Sequence, residues 1–242
     1  VTYYIVLQSN TVKQLGCPEP VRKLDAQAAA EFGILPKLPP NARYVVHPNE
    51  CYDLGTYGWI LNCLRAASKQ FKFFVFVNSS VRGPFVPSYA TYAHWSLMMT
   101  QYLRGHVKLV GSTINCEIMP HVQSYAFATD GRGLQMLRRG GALDCHHDRT
   151  AAIQNGELHL SRVMYNNSYT IGSLMADQRH VKDWAAGAPA YCTVHPQNPT
   201  VEGRAFRSLH PFEVLFVKVK NDTASRGVTY TGQKEALFFS NI

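Results

Sequence analysis

The sequence predicts an α/β fold in which residues 1–242 form a single domain around a mostly parallel central sheet. Residues 71–77 are a nearly continuous apolar run, which is typical of a central strand buried on both faces. Residues 56–70 precede this run and carry apolar side chains at helical spacing, and residues 44–46 form a short apolar stretch before them. Strand, helix and strand therefore follow one another through short links, as in a parallel βαβ unit.

The same alternation continues along the rest of the chain. Helical spacing predicts helices over residues 25–32, 89–103, 133–139 and 157–165. Apolar and β-branched runs predict further strands over residues 2–7, 107–110, 122–128 and 212–219. No internal repeat and no low-complexity segment interrupts this order, which favours one α/β domain.

The composition of the chain indicates which classes of binding partner to expect. Hydrophobic residues make up 46% of the chain, which excludes a mainly disordered protein. The 24 Lys and Arg against 16 Asp and Glu leave a net charge of +8, but the basic residues are scattered. Because nucleic-acid patches usually show runs of five to eight basic residues, we expect no nucleic-acid partner. A small anionic ligand fits this charge better.

The cysteines and the chain's start bear on its compartment. The six cysteines are well separated, and both disulfides and buried thiols stay open. Asn78, Asn166 and Asn221 each begin a glycosylation triplet, which mildly favours a secretory lumen, the Golgi, or secretion. No run approaches 18 apolar residues, so we expect no membrane span in this stretch. The first residue is Val1, so we also expect that a signal or anchor has been lost.

Three loops follow predicted strands, at the sheet edge where α/β folds bind ligands. They are residues 47–58, 78–85 and 111–121. The second loop is the most informative, because a hydrophobic strand ends there in three small polar residues followed by a basic one: Asn78, Ser79, Ser80 and Arg82. A guanidinium at this place can bind phosphate or carboxylate through two hydrogen bonds. A plain turn with the arginine in solvent is the alternative.

The loops carry a family resemblance. Asn49, Asp53 and Gly55, then a helix, then the run FVFVNSSVRGPF resemble glycosyltransferases of the GT-A fold, in particular rhamnan-synthesis-type and related algal and bacterial sugar transferases. The resemblance extends through VKLVGSTINCE, PHVQSYAFATD and NGELHLSRVMYNNSYTIGSL, and covers roughly residues 44–175. It implies a GT-A-like, Rossmann-related domain that transfers a hexose or pentose from a nucleotide-sugar donor to a glycan or glycoprotein acceptor, with inversion.

The resemblance also implies roles for particular residues. Glu157 occupies the place of the carboxylate that removes the acceptor proton in inverting members. The donor side is expected to comprise Asp53, Gly55, Asn78, Ser79, Ser80 and Arg82, and the acceptor side His121, Gln123 and Ser124. Purely structural alternatives stay open for three of these residues. Glu157 can be an acidic residue favoured at a helix N-terminus, and Asp53 can cap a helix that begins near Thr56. His121 can be a hydrogen-bonded loop residue.

The chain departs from the family at the metal site. Many GT-A enzymes place Asp-x-Asp where this chain has Asn78-Ser79-Ser80, so no metal ligands are predicted there, and whether Mn²⁺ or Mg²⁺ is used stays open. The run from Cys145 to Asp148 contains metal-ligating residue types, but adjacent ligands rarely close a tetrahedral site alone. The departure keeps a second function open, a catalytically inactive carbohydrate-binding or assembly subunit.

Overall fold

The fold is described from a computed structural model, in which residues 1–13, 17, 30–64, 67–90, 93–200 and 209–219 are described. Most of the helix expected over residues 25–32, part of the helix expected over residues 89–103 and the triplet at Asn221 lie outside these residues. None of the described helices is long and apolar enough to cross a membrane.

The strands, in chain order, are β1 (Tyr3–Ser9), β2 (Ala42–Pro48), β3 (Phe73–Val77), β4 (Val81–Arg82), β5 (Val107–Gly111), β6 (Ile114–Asn115), β7 (His121–Val122), β8 (Ala126–Asp130), β9 (Thr170–Ser173) and β10 (Val217–Lys218). The α-helices are α1 (Tyr52–Cys63), α2 (Leu97–Thr100), α3 (Gly131–Arg139), α4 (Arg149–Ala151), α5 (Leu158–Asn166), α6 (Trp184–Val194) and α7 (Pro211–Val214). A π-helical segment, Ala152–Glu157, joins α4 to α5.

The structure has the mixed α/β character that the sequence predicts, but not its single, mostly parallel sheet. Strands β1 and β2 pair in parallel as a separate sheet. The largest sheet has the order β3-β8-β5-β9, in which β8 is antiparallel to both neighbours and β5 is parallel to β9. The chain between β5 and β8 contains only the β6–β7 hairpin, with no helix to carry a crossover, so β8 returns antiparallel.

Three other sequence predictions need correction. The apolar run over residues 212–219 is not one strand, because His210-Pro211 begins the short helix α7 and only Val217–Lys218 are extended. Residues 122–128 are not one strand either, since Gln123, Ser124 and Tyr125 separate β7 from β8. The helix expected over residues 89–103 is, where it is described, a 3₁₀ turn at Ser88–Ala90 followed by α2.

The four-stranded sheet has a packed core on each face. Alternate side chains such as Phe76, Leu109 and Phe127 pack against α1, α3, α5 and α6 on one face. Their neighbours Val110 and Ala128 pack on the other face against a cluster that includes α2 and Phe216. A sheet covered on both faces leaves its strand ends and connecting loops as the accessible places for chemistry.

Three disulfides tie the loops to this core: Cys17–Cys63, Cys51–Cys145 and Cys116–Cys192, with Cα–Cα distances of 5.2, 4.4 and 5.5 Å. The sequence left both disulfides and buried thiols open, and the structure shows that the cysteines form disulfides. They indicate an oxidising environment, secretory or extracellular, because such compartments are where structural disulfides persist.

Candidate functional site

At Tyr125 the structure brings together loops that are far apart in the sequence. Its backbone carbonyl accepts a hydrogen bond of 3.0 Å from the backbone N–H of Asn78, the first residue after β3. Its ring is almost fully buried, and its hydroxyl lies 2.9 Å from the Thr113 hydroxyl. Because Ser124 precedes it and contacts Glu157, Tyr125 joins the predicted donor loop to the predicted catalytic carboxylate.

Glu157 has two polar neighbours. The Ser124 hydroxyl donates to its Oε2 atom in a short hydrogen bond, and the Ser124 backbone N–H donates to the same oxygen at 3.3 Å. The Nε2 atom of His121 lies 3.6 Å from Oε1. The acceptor-side residues His121 and Ser124 are thus gathered around the carboxylate, and 26% of the Glu157 side chain is still exposed.

The His121 ring is oriented by its other nitrogen. Its Nδ1 atom lies 2.7 Å from the Met119 carbonyl oxygen. Since a carbonyl only accepts, Nδ1 carries a proton and donates it to this oxygen, which leaves Nε2 facing Glu157. The ring is buried, so its position is set by packing and by this hydrogen bond.

These contacts control the ionisation of Glu157. Burial alone would raise the pKa of its carboxyl, but the hydrogen bonds from His121 and Ser124 and the positive charges of His121 and Lys218 outweigh it and hold the pKa at about 2. The group is therefore an anion at neutral pH, ready to accept a hydrogen bond or a proton. A pKa this low also makes it a weak base while these neighbours are in place.

The backbone around Glu157 differs from the sequence prediction. The helical segment begins at Arg149, where the Asp148 side chain caps it by accepting from the Ala151 N–H at 2.8 Å, so Glu157 is not a first-turn residue. The dipole interpretation of Glu157 is wrong for that reason. Glu157 instead ends the π-helical segment, a rare geometry that is frequent at functional sites.

Three of the residues predicted for the donor side, Asp53, Asn78 and Ser80, form a second polar group. The Asn78 side-chain Nδ2 donates to Asp53 Oδ2 at 2.9 Å, and Asn78 Oδ1 accepts from the Ser80 hydroxyl at 2.7 Å and from the Ser80 N–H at 3.0 Å. Ser79, between them, is exposed. Asp53 does not cap a helix at Thr56, because α1 already begins at Tyr52. Its carboxylate orients the Asn78 amide.

Gly55 and Gln123 have structural surroundings. A Cβ atom at Gly55 would lie 2.7 Å from the Cβ of Cys51 and 2.9 Å from the Cα of Cys145, so the glycine lets α1 approach the Cys51–Cys145 disulfide. The Gln123 side chain is buried, with its Oε1 accepting from Thr113 Oγ1 at 2.7 Å. Ligand contacts by Gly55 or Gln123 stay predictions.

Arg82 and Lys218 lie on the two-stranded ribbon of β4 and β10. Val81 pairs with Lys218 and Arg82 pairs with Val217, so the two basic side chains lie on opposite faces of the ribbon. Val81 packs with the cluster that contains Tyr125, and the Lys218 Nζ atom lies 5.9 Å from the centroid of the Tyr125 ring. Arg82 is exposed, and its Nη1 atom donates to the Val81 carbonyl at 3.3 Å.

The residues present do not fit a divalent metal site of the kind that the family resemblance implies. The loop after β3 offers an amide and two hydroxyls, and its neighbouring carboxylate, Asp53, is bonded to Asn78. Within the described ranges, no group of three or more His, Cys, Asp or Glu residues lies close enough to hold a metal ion. At the run of residues 145–148, Cys145 is a disulfide partner and Asp148 is a helix cap.

Sequence reasoning missed Tyr125 and Lys218. The signal for Lys218 was a single cation inside the apolar run of residues 212–219, a place where a charge needs a polar partner. Tyr125 had no signal, because its importance comes from the antiparallel return of β8. Comparison of the chain with protein-family models, curated proteins and solved structures finds no match in any of the three.

Proposed function

We propose that this protein is a glycosyltransferase of the secretory pathway that transfers a sugar from a nucleotide-sugar donor to a glycan or glycoprotein hydroxyl, with inversion. The observation that carries the proposal is the convergence on Tyr125 of the loop after β3 and the carboxylate of Glu157. On one side the arrangement offers hydrogen-bonding groups that can contact the nucleotide sugar. On the other side it offers an anionic base. The three disulfides fit a lumenal enzyme, and the Golgi is the compartment that this chemistry favours.

In the proposed reaction the acceptor hydroxyl oxygen attacks the anomeric carbon of the donor. A new C–O bond forms there as the bond from that carbon to the diphosphate oxygen breaks, and the leaving diphosphate keeps the electron pair. Glu157 takes the hydroxyl proton. Ser124 and His121 hold the carboxylate in position, and Asp53 orients the Asn78 amide toward the donor side.

The low pKa of Glu157 sets a requirement on acceptor binding. A hydroxyl that approaches Oε1 competes with the His121 contact, which at 3.6 Å is the longer of the two side-chain contacts. Displacing that contact and excluding water both raise the carboxyl pKa toward the range in which a general base works well. The acceptor therefore activates the base that receives its proton.

The proposal is tested by thermal denaturation of the intact chain with a panel of nucleoside diphosphates and nucleotide sugars, each with and without Mn²⁺. A ligand at 100 times its Kd stabilises the folded state by about 2.7 kcal/mol. For a chain of this size that is a rise in Tm of roughly 5–10 °C. We expect one nucleotide class to produce this shift, and equal, negligible shifts across the whole panel would contradict the proposal.

A second function, sugar binding without turnover, is favoured by one observation. Glu157 is held as an anion by Ser124 and His121, and a carboxylate fixed in this way is also a good acceptor for sugar hydroxyls. Release of nucleoside diphosphate from nucleotide sugar in the presence of acceptor glycans separates the two functions. Stabilisation by a nucleotide sugar or glycan with no release would favour the binding protein.

A further inference from the structure

The leaving diphosphate of the proposed reaction needs positive charge, and the loop after β3 supplies none of its own. Asn78, Ser79 and Ser80 are neutral, and Arg82 lies on the face of the β4–β10 ribbon that is opposite to Tyr125. In a site that excludes water, an uncompensated diphosphate would raise the barrier to bond breaking. A cation from another part of the chain is required.

Lys218 is placed to supply this charge. Strand β10 runs antiparallel to β4, and the backbone N–H of Val219 donates to the Ser80 carbonyl at 2.7 Å, so the end of β10 is anchored to the donor loop itself. The pairing of Lys218 with Val81 turns its side chain toward Tyr125, over whose ring the Nζ atom lies 5.9 Å from the centroid.

The same lysine acts on the carboxylate. Its positive charge is one of the causes that lower the pKa of Glu157. Lys218 also lies over the ring of Tyr125, the residue that joins the loop after β3 to Ser124 and, through it, to Glu157. In the proposed reaction, the bond between the anomeric carbon and the diphosphate would break beside this ring.

Resting on the proposed function, we infer that Lys218 is a catalytic residue whose ammonium binds the donor diphosphate and stabilises the negative charge that develops on it as the glycosidic bond to phosphate breaks. The lysine keeps its proton throughout, and the electron pair of the broken bond stays on the diphosphate oxygen. The inference assigns to Lys218 the charge that the family's metal ion supplies at the Asp-x-Asp position. It also explains why a lysine lies within the apolar run of residues 212–219.

The test compares the binding of a nucleoside diphosphate with that of the matching nucleoside in the wild type, in Lys218→Gln, Lys218→Arg and Arg82→Gln, and in a control variant. The nucleotide is the one selected by the thermal panel. Hydrogen bonds to charged groups contribute about 1.5–3 kcal/mol, so we expect Lys218→Gln to weaken diphosphate binding by roughly tenfold to a hundredfold. Binding of the nucleoside should be unchanged, and Lys218→Arg should restore part of the loss.

Lys182→Gln is the matched control, because Lys182 is an exposed lysine outside the proposed site, and its diphosphate binding should equal that of the wild type. Equal diphosphate binding by wild type and Lys218→Gln would overturn the inference and leave the proposed function standing. A larger loss in Arg82→Gln than in Lys218→Gln would also overturn it. Absence of any nucleotide binding by the wild type would instead remove the proposed function, and the inference with it.

Discussion

Asp130 and Glu157 are two acidic residues at opposite ends of the same sheet, and their surroundings differ in kind. Asp130 ends β8, caps α3 by accepting from the Gly133 N–H at 2.8 Å, and pairs with Lys108 at 2.8 Å. Both of its oxygens serve the fold. Glu157 lies inside a continuous helical segment, caps nothing, and is held by side chains of the β7–β8 connection.

The difference separates a structural carboxylate from a functional candidate. A helix cap and an ion pair stabilise the folded chain in a way that needs no ligand. A carboxylate that is held as an anion, caps no helix and is still 26% exposed, at the end of a π-helical segment, is available to a ligand.

Glu157→Gln should lower sugar transfer by about 10²–10⁴-fold, because the amide cannot take the acceptor proton. Nucleotide binding should survive, since the donor side is formed by other residues. The measurement is release of nucleoside diphosphate under saturating acceptor, alongside the thermal shift with nucleotide. Asp130→Asn is the matched control and should retain its turnover; equal losses in the two variants would remove the distinction between the carboxylates.

Acid should destabilise the wild type through Glu157. The folded-state pKa of about 2 is below the ordinary value of 4.5, so the ionised carboxylate contributes stability above about pH 4.5 that is lost as the pH falls toward 2. The shift corresponds to about 3 kcal/mol at most. Urea denaturation at several pH values measures it, and Glu157→Gln should flatten the profile in that window. A wild-type profile parallel to that of the variant would show that Glu157 has no such shift.

Asp130→Ala should lower the free energy of unfolding by about 2 kcal/mol, because it removes the α3 cap and leaves Lys108, 16% exposed, without its partner. Asp130→Asn keeps an acceptor for the Gly133 N–H and should lose less, which separates the cap from the ion pair. Denaturant titration at neutral pH measures both. Nucleotide binding should be unaffected, and a loss of binding in either variant would contradict the structural role.

The smallest effect is expected from His47, a buried ring whose centroid lies 4.5 Å from that of Trp59. Burial lowers the pKa of His47 below its ordinary value of 6.5. The neutral ring therefore stabilises the folded protein above about pH 6.5, and this stabilisation is lost as the pH falls below that value. His47→Phe should reduce the slope of stability between pH 7 and 5, measured by thermal denaturation. A slope that does not change would contradict this assignment.

Strands with continuous apolar runs could be predicted from the sequence. The run of residues 71–77 contains β3, and the run of residues 107–110 contains all of β5 except Gly111, because a continuous apolar stretch has few other structures available to it. The prediction of a central strand for residues 71–77 is wrong, since β3 lies at the edge of the four-stranded sheet. The order of the sheet could not be predicted in the same way. The position of β8 between β3 and β5 depends on a connection without a helix, and strand direction leaves no mark in the residues themselves.

The site was predictable residue by residue but not as an arrangement. Glu157, Ser124 and His121 each carried a chemical signal, and their contact follows from the antiparallel return of the chain at Tyr125. Lys218 was hidden because residues 212–219 have the composition of a strand. The helix α7, which begins at Pro211, shortens that strand to two residues. The pairing of those two residues with β4 sets the face of the ribbon on which Lys218 lies.

The other end of the sheet supplies the competing location for a ligand. A cavity of about 480 Å³ lies there, lined by residues that include Phe71, Leu97, Arg104, Asp130 and Arg132. Its cations could attract an anion as well as Lys218 could, so ligand binding alone does not identify the site. The two ends must be distinguished by position.

Hydrogen exchange with and without the selected nucleoside diphosphate distinguishes them most directly. Binding at the proposed site should slow exchange in the loop after β3, at Asn78 and Ser80, and at Ser124. The segment that contains Arg104 and the start of α3 should exchange as before. Protection confined to that opposite end, with none at Asn78, Ser80 or Ser124, would contradict the assignment of the site around Glu157.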